Sequence, residues 1–130
     1  MDRQIVTTTE APAIGAQFAL SQGMRIGPFL QTSGQVGQDP TTGEVVSGGF
    51  ADQVQQTLVN VTAILRAGGA SLRDVLMMRV YVREARDLPE MNRVYSEFVG
   101  ATKPPRTTIV TGLPGPFLVE IDALAVVNQA

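Results

Sequence analysis

The sequence predicts an α+β domain in which one mixed β-sheet carries both of its helices on a single face. Three observations lead there. A long apolar stripe at helical spacing runs from Phe50 to Leu65, and a shorter one from Leu88 to Phe98. Segments of alternating side chains, bounded by Gly and Pro, mark strands before, between and after those helices. Two helices are too few to cover both faces of such a sheet. At 130 residues the chain fits one domain, residues 1–130.

The elements follow in order. Arg3–Thr7 is a short strand, and an irregular stretch with Pro12 and Gly15 follows it. Met24–Thr32 alternates loosely, and Gly27-Pro28 inside it predicts a hairpin turn between two short strands. The stretch 33–49 carries Gly34, Gly37, Pro40, Gly43, Gly48 and Gly49 and is a loop, with a turn at Asp39-Pro40-Thr41-Thr42-Gly43. Phe50–Ala67 is the clearest helix. Phe50, Val54, Leu58, Val61 and Leu65 form its stripe, while Gln53, Gln55, Gln56 and Asn60 lie off it. Gly68-Gly69 ends it with a left-handed cap.

Val75–Arg83 is a strand in which Leu76, Met78, Val80 and Val82 share an apolar face and Met77, Arg79, Tyr81 and Arg83 share the other. Asp87 caps the second helix, Pro89 sits in its first turn, and Glu90 completes an Asp-x-x-Glu box. Leu88, Met91, Tyr95 and Phe98 form its buried stripe, and Gly100 closes it. Lys103-Pro104-Pro105 leads into a strand, Arg106–Thr111. A Gly/Pro loop, 112–116, joins that to the last strand, Phe117–Val127. On the sheet face away from the helices, Met77, Tyr81, Phe117, Val119 and Ile121 cannot all be left in water. Burial between subunits is the simplest solution.

Composition narrows the chemistry. The chain has no His, Cys or Trp. That removes thiolate nucleophiles, disulfides, Ser-His-Asp triads and the usual zinc ligand sets. Catalysis is left to Arg, Lys, carboxylates, hydroxyls, backbone groups and water. Charged residues make up 17% of the chain, against about 25% in typical domains, which again favours a charge-poor interface. The net charge of −2 and a pI near 5.0 argue against a nucleic-acid binder. Lys103 is the only lysine. No apolar run approaches the roughly 18 residues of a membrane span, and the start of the chain lacks a signal-peptide core. The expectation is a soluble cytoplasmic protein.

Four groups could carry chemistry. Arg106 follows two prolines, so its guanidinium stands on a stiff platform suited to a two-pronged grip on a carboxylate. Glu120, with Asp122, Leu124 and Val126 on its face, is a carboxylate in an otherwise apolar strand, where burial can raise its pKa for acid–base work. Ser33-Gly34-Gln35 opens the glycine-rich loop, where backbone can approach a ligand closely. Tyr81, Asn92 and Tyr95 are polar groups on core-facing surfaces, as structural hydrogen-bonding residues also are. The dispersed carboxylates form no metal-binding loop, and no phosphate-binding glycine motif is present.

Taken together, Lys103-Pro-Pro-Arg106-Thr-Thr and Val119-Glu120-Ile121-Asp122-Ala123 resemble the C-terminal motif of the RidA (YjgF) family of reactive imine/enamine deaminases. Further matches are Ala11-Pro-Ala-Ile-Gly15, Thr32-Ser-Gly-Gln35, Asp39-Pro-Thr-Thr-Gly-Glu44, Gln53-x-x-x-Thr57-Leu58-x-Asn60, Val80-Tyr-Val82 and Asn92-x-x-Tyr95-x-x-Phe98, so the resemblance spans nearly the whole chain. It implies a chorismate mutase-like subunit in a homotrimer with clefts between subunits. It also implies hydrolysis of short-chain 2-imino or 2-enamino acids to 2-oxo acids and ammonia, without a cofactor.

Carried onto this chain, the resemblance makes Arg106 the carboxylate ligand, assisted by main-chain groups at Thr108. Glu120 positions or activates water, main-chain groups near Ser33 and Gly34 steer the imine nitrogen, and Asn92 joins the binding residues. The family often has a cleft tyrosine where Leu20 stands here, which puts substrate preference in question. The alternative reading is a trimer that binds small carboxylates in the same clefts without turning them over. A ribonuclease activity, reported for some family members, is a third reading that the charge and the absence of His disfavour.

Overall fold

The computed structural model describes residues 1–128. Six strands form one mixed sheet: β1 (Arg3–Val6), β2 (Gly23–Ile26), β3 (Phe29–Thr32), β4 (Val75–Val82), β5 (Arg106–Val110) and β6 (Val119–Val126). Their spatial order is β1-β2-β3-β6-β4-β5. Every pairing is antiparallel except β4 with the edge strand β5. Two helices, α1 (Phe50–Ala67) and α2 (Leu88–Val99), lie side by side, with α1 across β6 and β3. The predicted class and element order are therefore those of the structure.

Alternation puts the core on the helix side of the sheet. Leu30 of β3, Met78, Val80 and Val82 of β4, and Val119, Ile121, Ala123 and Ala125 of β6 are fully buried against Val54, Leu58, Val61, Ile64 and Leu65 of α1. Met91, Val94, Tyr95 and Val99 of α2 complete it, with Leu88 and Phe98 packed partly against them. The Gly27-Pro28 hairpin forms with Gly27 at φ 60. The Asp39 carboxylate holds its predicted turn by accepting from the Thr41 N–H at 2.7 Å.

Four sequence expectations need correction. Val75 pairs with Ala125 and Met77 with Leu124, so Leu76 is a bulge residue and turns outward, 53% exposed, while Val75 takes the core position. Val119 and Ile121 face the helices rather than the open sheet face, because β6 buries its odd-numbered residues. Asp87 makes no side-chain cap: a 3-10 turn, Ala85–Asp87, runs straight into α2 and holds Asp87 in helical conformation. Glu90, its predicted box partner, pairs with Arg93 at 2.7 Å instead.

The fourth concerns Gln53 and Asn60, which are buried on α1. Asn60 donates to the carbonyls of Val36 (3.1 Å) and Gln38 (2.9 Å), and Gln53 both accepts from the Leu118 N–H (2.9 Å) and donates to the Pro116 carbonyl (3.2 Å). Both amides satisfy loop backbone groups that the fold would otherwise strand away from water.

The open face carries Met24, Ile26, Phe29, Met77, Tyr81, Ile109, Leu124 and Val126 around Glu120 and Asp122. Phe29, Ile109, Ile26 and Val126 are 39–48% exposed.

Replacing Leu58 with Ala should lower the free energy of unfolding by about 3 kcal/mol. Asn60→Ala should cost about 2 kcal/mol, because two loop carbonyls lose their donor, while exposed Gln55→Ala should stay within about 0.5 kcal/mol. Denaturant unfolding at one protein concentration checks all three. An Asn60→Ala variant as stable as Gln55→Ala would remove the clamp from the account.

Candidate functional site

Arg106 opens β5 opposite Met78, and the Pro105 carbonyl just before it accepts from the Met78 N–H at 2.8 Å. The platform is therefore stitched to the sheet. The guanidinium lies over Tyr95, with Cζ 4.6 Å from the ring centroid, and Nη2 donates to the Asn92 Oδ1 at 2.7 Å. Asn92 and Tyr95 stand one helical turn apart on α2, so a single helix face seats the arginine. The ring also contributes a cation–π contact. The Tyr95 hydroxyl is buried with no hydrogen-bond partner. Burial pushes its pKa up, against a smaller opposing effect of the Arg106 charge.

Thr108 shares the Arg106 side of β5 and is half-buried. The Pro105 carbonyl and the Thr111 N–H both bond to β4, the latter at 3.0 Å. In a parallel ladder alternate residues face opposite neighbours. The N–H and C=O of Thr108 therefore point outward from the sheet edge. The structure thus brings Arg106, Asn92 and Thr108 together.

Glu120 belongs to a second group on the open face. It lies opposite Tyr81 on β4. Gln35 exchanges two backbone hydrogen bonds with Ile121, at 2.8 and 2.9 Å, which lays Gly34 directly against the Glu120 side chain. A Cβ at Gly34 would push that carboxylate aside, so glycine here lets the Glu120 carboxyl lie against the backbone. Ser33 is held to the neighbouring segment by its hydroxyl, donating to the Ser21 carbonyl, and by its N–H on the Gln22 carbonyl. Leu20, 53% exposed, lines a recess of about 280 Å³ with Ser33, Met24 and Gln31. Leu20, Ser33, Gly34 and Glu120 therefore form one connected surface.

The Glu120 carboxyl is held above its ordinary range, first by burial and then by the charge of Asp122 two residues along. Asp122 is itself paired with Arg79 at 2.7 Å and accepts from Gln31 Nε2 at 3.3 Å. A carboxyl with raised pKa beside backbone donors can accept a proton from a nearby water once ionised.

The two groups do not meet within one protomer. Arg106 is in register with Met78 and Glu120 with Tyr81, on strands that flank β4, and their side chains leave opposite faces of the sheet. They are offset by roughly 10 Å along the strands and roughly 10 Å across them. Sequence reasoning missed the Arg79–Asp122–Gln31 network and Arg83, whose guanidinium donates to the Leu113 and Gly115 carbonyls and pins the 112–116 loop. Among the described residues no cluster of His, Cys, Asp or Glu could hold a metal ion.

Comparison with known proteins gives the family. A RutC family protein of Pyrococcus horikoshii is 41% identical over 124 residues, covering 95% of this chain and 97% of its own. The human 2-iminobutanoate/2-iminopropanoate deaminase is 33% identical over 125 residues, covering 95% of this chain and 90% of its own. Among solved structures, E. coli TdcF with bound serine superposes with a TM-score of 0.87 at 36% identity, over 96% of this chain and 99% of that one. RidA from an Antarctic Psychrobacter superposes with a TM-score of 0.88 at 33% identity, over 95% and 99%. The family model described as Endoribonuclease L-PSP matches residues 8–127, and the chain belongs to that family, the RidA family.

Proposed function

We propose that this protein hydrolyses short-chain 2-imino and 2-enamino acids to 2-oxo acids and ammonia, at sites that each combine the Arg106 group of one subunit with the Glu120 group of the next. The observation that carries this reading is the division of the site residues between opposite sheet faces. Joining one half to the other is a head-to-tail contact between unlike surfaces, which forms a closed ring when the rotation between subunits closes. A homotrimer closes such a ring with three identical sites. It also buries the open face with its Phe29, Ile26, Ile109 and Val126 side chains. Serine bound to TdcF and the deaminase names of the relatives support a small amino-acid-like ligand.

The mechanism follows from the groups available. The substrate carboxylate takes two parallel hydrogen bonds from Arg106, with the outward Thr108 N–H as a third donor. The partner subunit's backbone at Ser33 and Gly34 orients the imine nitrogen. Ionised Glu120 holds a water against the imine carbon and receives its proton. The tetrahedral carbinolamine, formed from the protonated imine, then takes that proton on nitrogen; its C–N bond breaks as the hydroxyl oxygen forms the C=O bond and gives its proton to Glu120, and ammonia leaves with the 2-oxo acid behind it. Orientation and proton placement are the whole contribution, and neither metal nor cofactor enters the step.

Arg106→Ala should lower kcat/KM by about 100-fold in a coupled assay that generates 2-iminobutanoate with a dehydratase. Mixing Arg106→Ala with Glu120→Gln subunits tests the shared site. Random 1:1 trimers should regain about one quarter of wild-type activity, because three in four are hybrids with one intact site of three. A mixture as inactive as its parents would refute the shared site. Ligand binding by Arg106 with no turnover in wild type would favour a carboxylate-binding protein instead.

Glu120→Gln should lose between about 10²- and 10⁴-fold in rate. In wild type the rate should fall on acidification at a midpoint above 4.5, the ordinary value, and Asp122→Asn should move that midpoint down. The stability effect has the opposite sign to a paired carboxylate. The folded state binds the Glu120 proton more tightly than the unfolded chain does, so stability present at low pH is lost as pH rises through the raised pKa. Glu120→Gln should accordingly have a higher Tm than wild type at pH 7 and the same Tm at pH 4. A lower Tm at pH 7 would contradict the burial argument.

A further inference from the structure

The recess beside Arg106 holds a second cation that the reaction above does not use. Lys103, Asn92, Ser96, Val99, Pro104 and Arg106 line about 460 Å³ next to the Tyr95 ring. No Asp or Glu lines it. The acidic residues of α2, Glu90 and Glu97, pair with Arg93 at 2.7 and 3.3 Å. Arg106 has the neutral Asn92 oxygen as its partner. Among the described residues neither Lys103 nor Arg106 has an acidic partner within 4.0 Å. Two like charges in one concave site attract an anion that can answer both.

Lys103 is also kept in place against its backbone preference. It has φ 40 and ψ 57, the one positive φ of a non-glycine residue among those described. A left-handed conformation costs a side-chain-bearing residue roughly 1–2 kcal/mol, and the proline that follows disfavours helical conformations further. Glycine would adopt this backbone freely. The usual reason for a lysine behind a helix is to satisfy the last carbonyls. Two of those carbonyls have other donors here: the Gly100 N–H donates to the Ser96 carbonyl, and the Thr102 hydroxyl donates to the Val99 carbonyl at 2.6 Å. Strain of this kind at a cleft marks function. The rigid Pro104-Pro105 link fixes the Lys103 backbone relative to that of Arg106.

We propose that Lys103 makes this site selective for 2-imino acids that carry a second carboxylate. The inference rests on the assignment of Arg106 as the carboxylate ligand. Arg106 takes the carboxylate next to the imine carbon and Lys103 takes the distal one. Water adds to the imine carbon, the C–N bond breaks, and the products are ammonia and a 2-oxo dicarboxylate, with no change of oxidation state. A reaction that oxidises an acidic amino acid at its Cα–N bond supplies such a substrate.

Calorimetry of the assembled protein with 2-oxoglutarate and 2-oxobutanoate as product probes tests this. Wild type should bind 2-oxoglutarate about tenfold tighter, the scale of one charge-assisted hydrogen bond. In both Lys103→Met and Lys103→Gly the ratio of the two affinities should fall to about one, and Lys103→Arg should restore most of it. Lys103→Gly, freed of strain, should also have a raised Tm, so loss of folding cannot explain its loss of preference. Equal affinities in wild type, or a preference that survives in Lys103→Gly, would overturn the proposal. Arg106→Ala separates the two assignments: 2-oxobutanoate binding that persists in it sinks the carboxylate role of Arg106, and the Lys103 inference with it.

Discussion

The pairing of β4 with β6 decides what every other part of the molecule can do. These two central strands run antiparallel from Val75–Ala125 to Val82–Val119, and their alternation sends one set of side chains under the helices and the other onto the open face. Burying Val119, Ile121, Ala123 and Ala125 leaves Glu120, Asp122, Leu124 and Val126 no choice of side. The parallel pairing of β5 on the far edge of β4 then places Arg106 and Thr108 with Met78 and Val80, on the other side from Glu120. A one-residue slip of β6 would exchange its faces and place Glu120 and Asp122 in the core. The apolar core therefore fixes the separation of the two half-sites, and that separation makes association part of the chemistry.

Leu20, Ser33 and Gly34 of the site lie in loops, and buried amides rather than apolar contacts hold those loops. Gln22 accepts from the Thr8 N–H at 2.7 Å and donates to the Thr8 and Pro12 carbonyls, fastening the N-terminal segment beside Leu20. Asn60 fastens the 36–38 stretch that follows Gly34, and Gln53 and Arg83 fasten the loop that delivers β6. Each of these side chains replaces water for several backbone groups at once. Removing any of them would strand those groups at the desolvation cost of an unmet hydrogen bond. Order in the glycine-rich 33–49 segment thus comes from the helix beneath it.

Periodicity made the fold legible. The stripes of α1 and α2, the alternation in β4 and β6 and the Gly/Pro punctuation give the element order directly. Three things lay outside that signal. The bulge at Leu76 depends on how β4 meets β6, which local alternation cannot report. The burial of Gln53 and Asn60 depends on loop carbonyls that arrive from elsewhere in the chain. The missing cap at Asp87 depends on a preceding 3-10 turn that holds the residue in helical conformation. The site was legible in a different sense. Resemblance names Arg106, Glu120, Thr108, Ser33, Gly34, Leu20 and Asn92, but only the strand register divides them into two groups.

Asp122 and Glu120 show why two carboxylates on one strand face can differ in role. Asp122 is nearly enclosed, yet its charge is answered by the Arg79 guanidinium at 2.7 Å and by Gln31. Glu120, two residues earlier, has no cation beside it. Its close neighbour is the Gly34 backbone, which gives it burial without charge compensation. The anion at Asp122 then adds to the cost of ionising Glu120. Burial first, and the Asp122 charge second, raise the proton affinity of Glu120, and a base of raised proton affinity is a better acceptor from water. Arg79 touches neither substrate half-site, but its 2.7 Å bond to Asp122 fixes that carboxylate on the same strand face as Glu120.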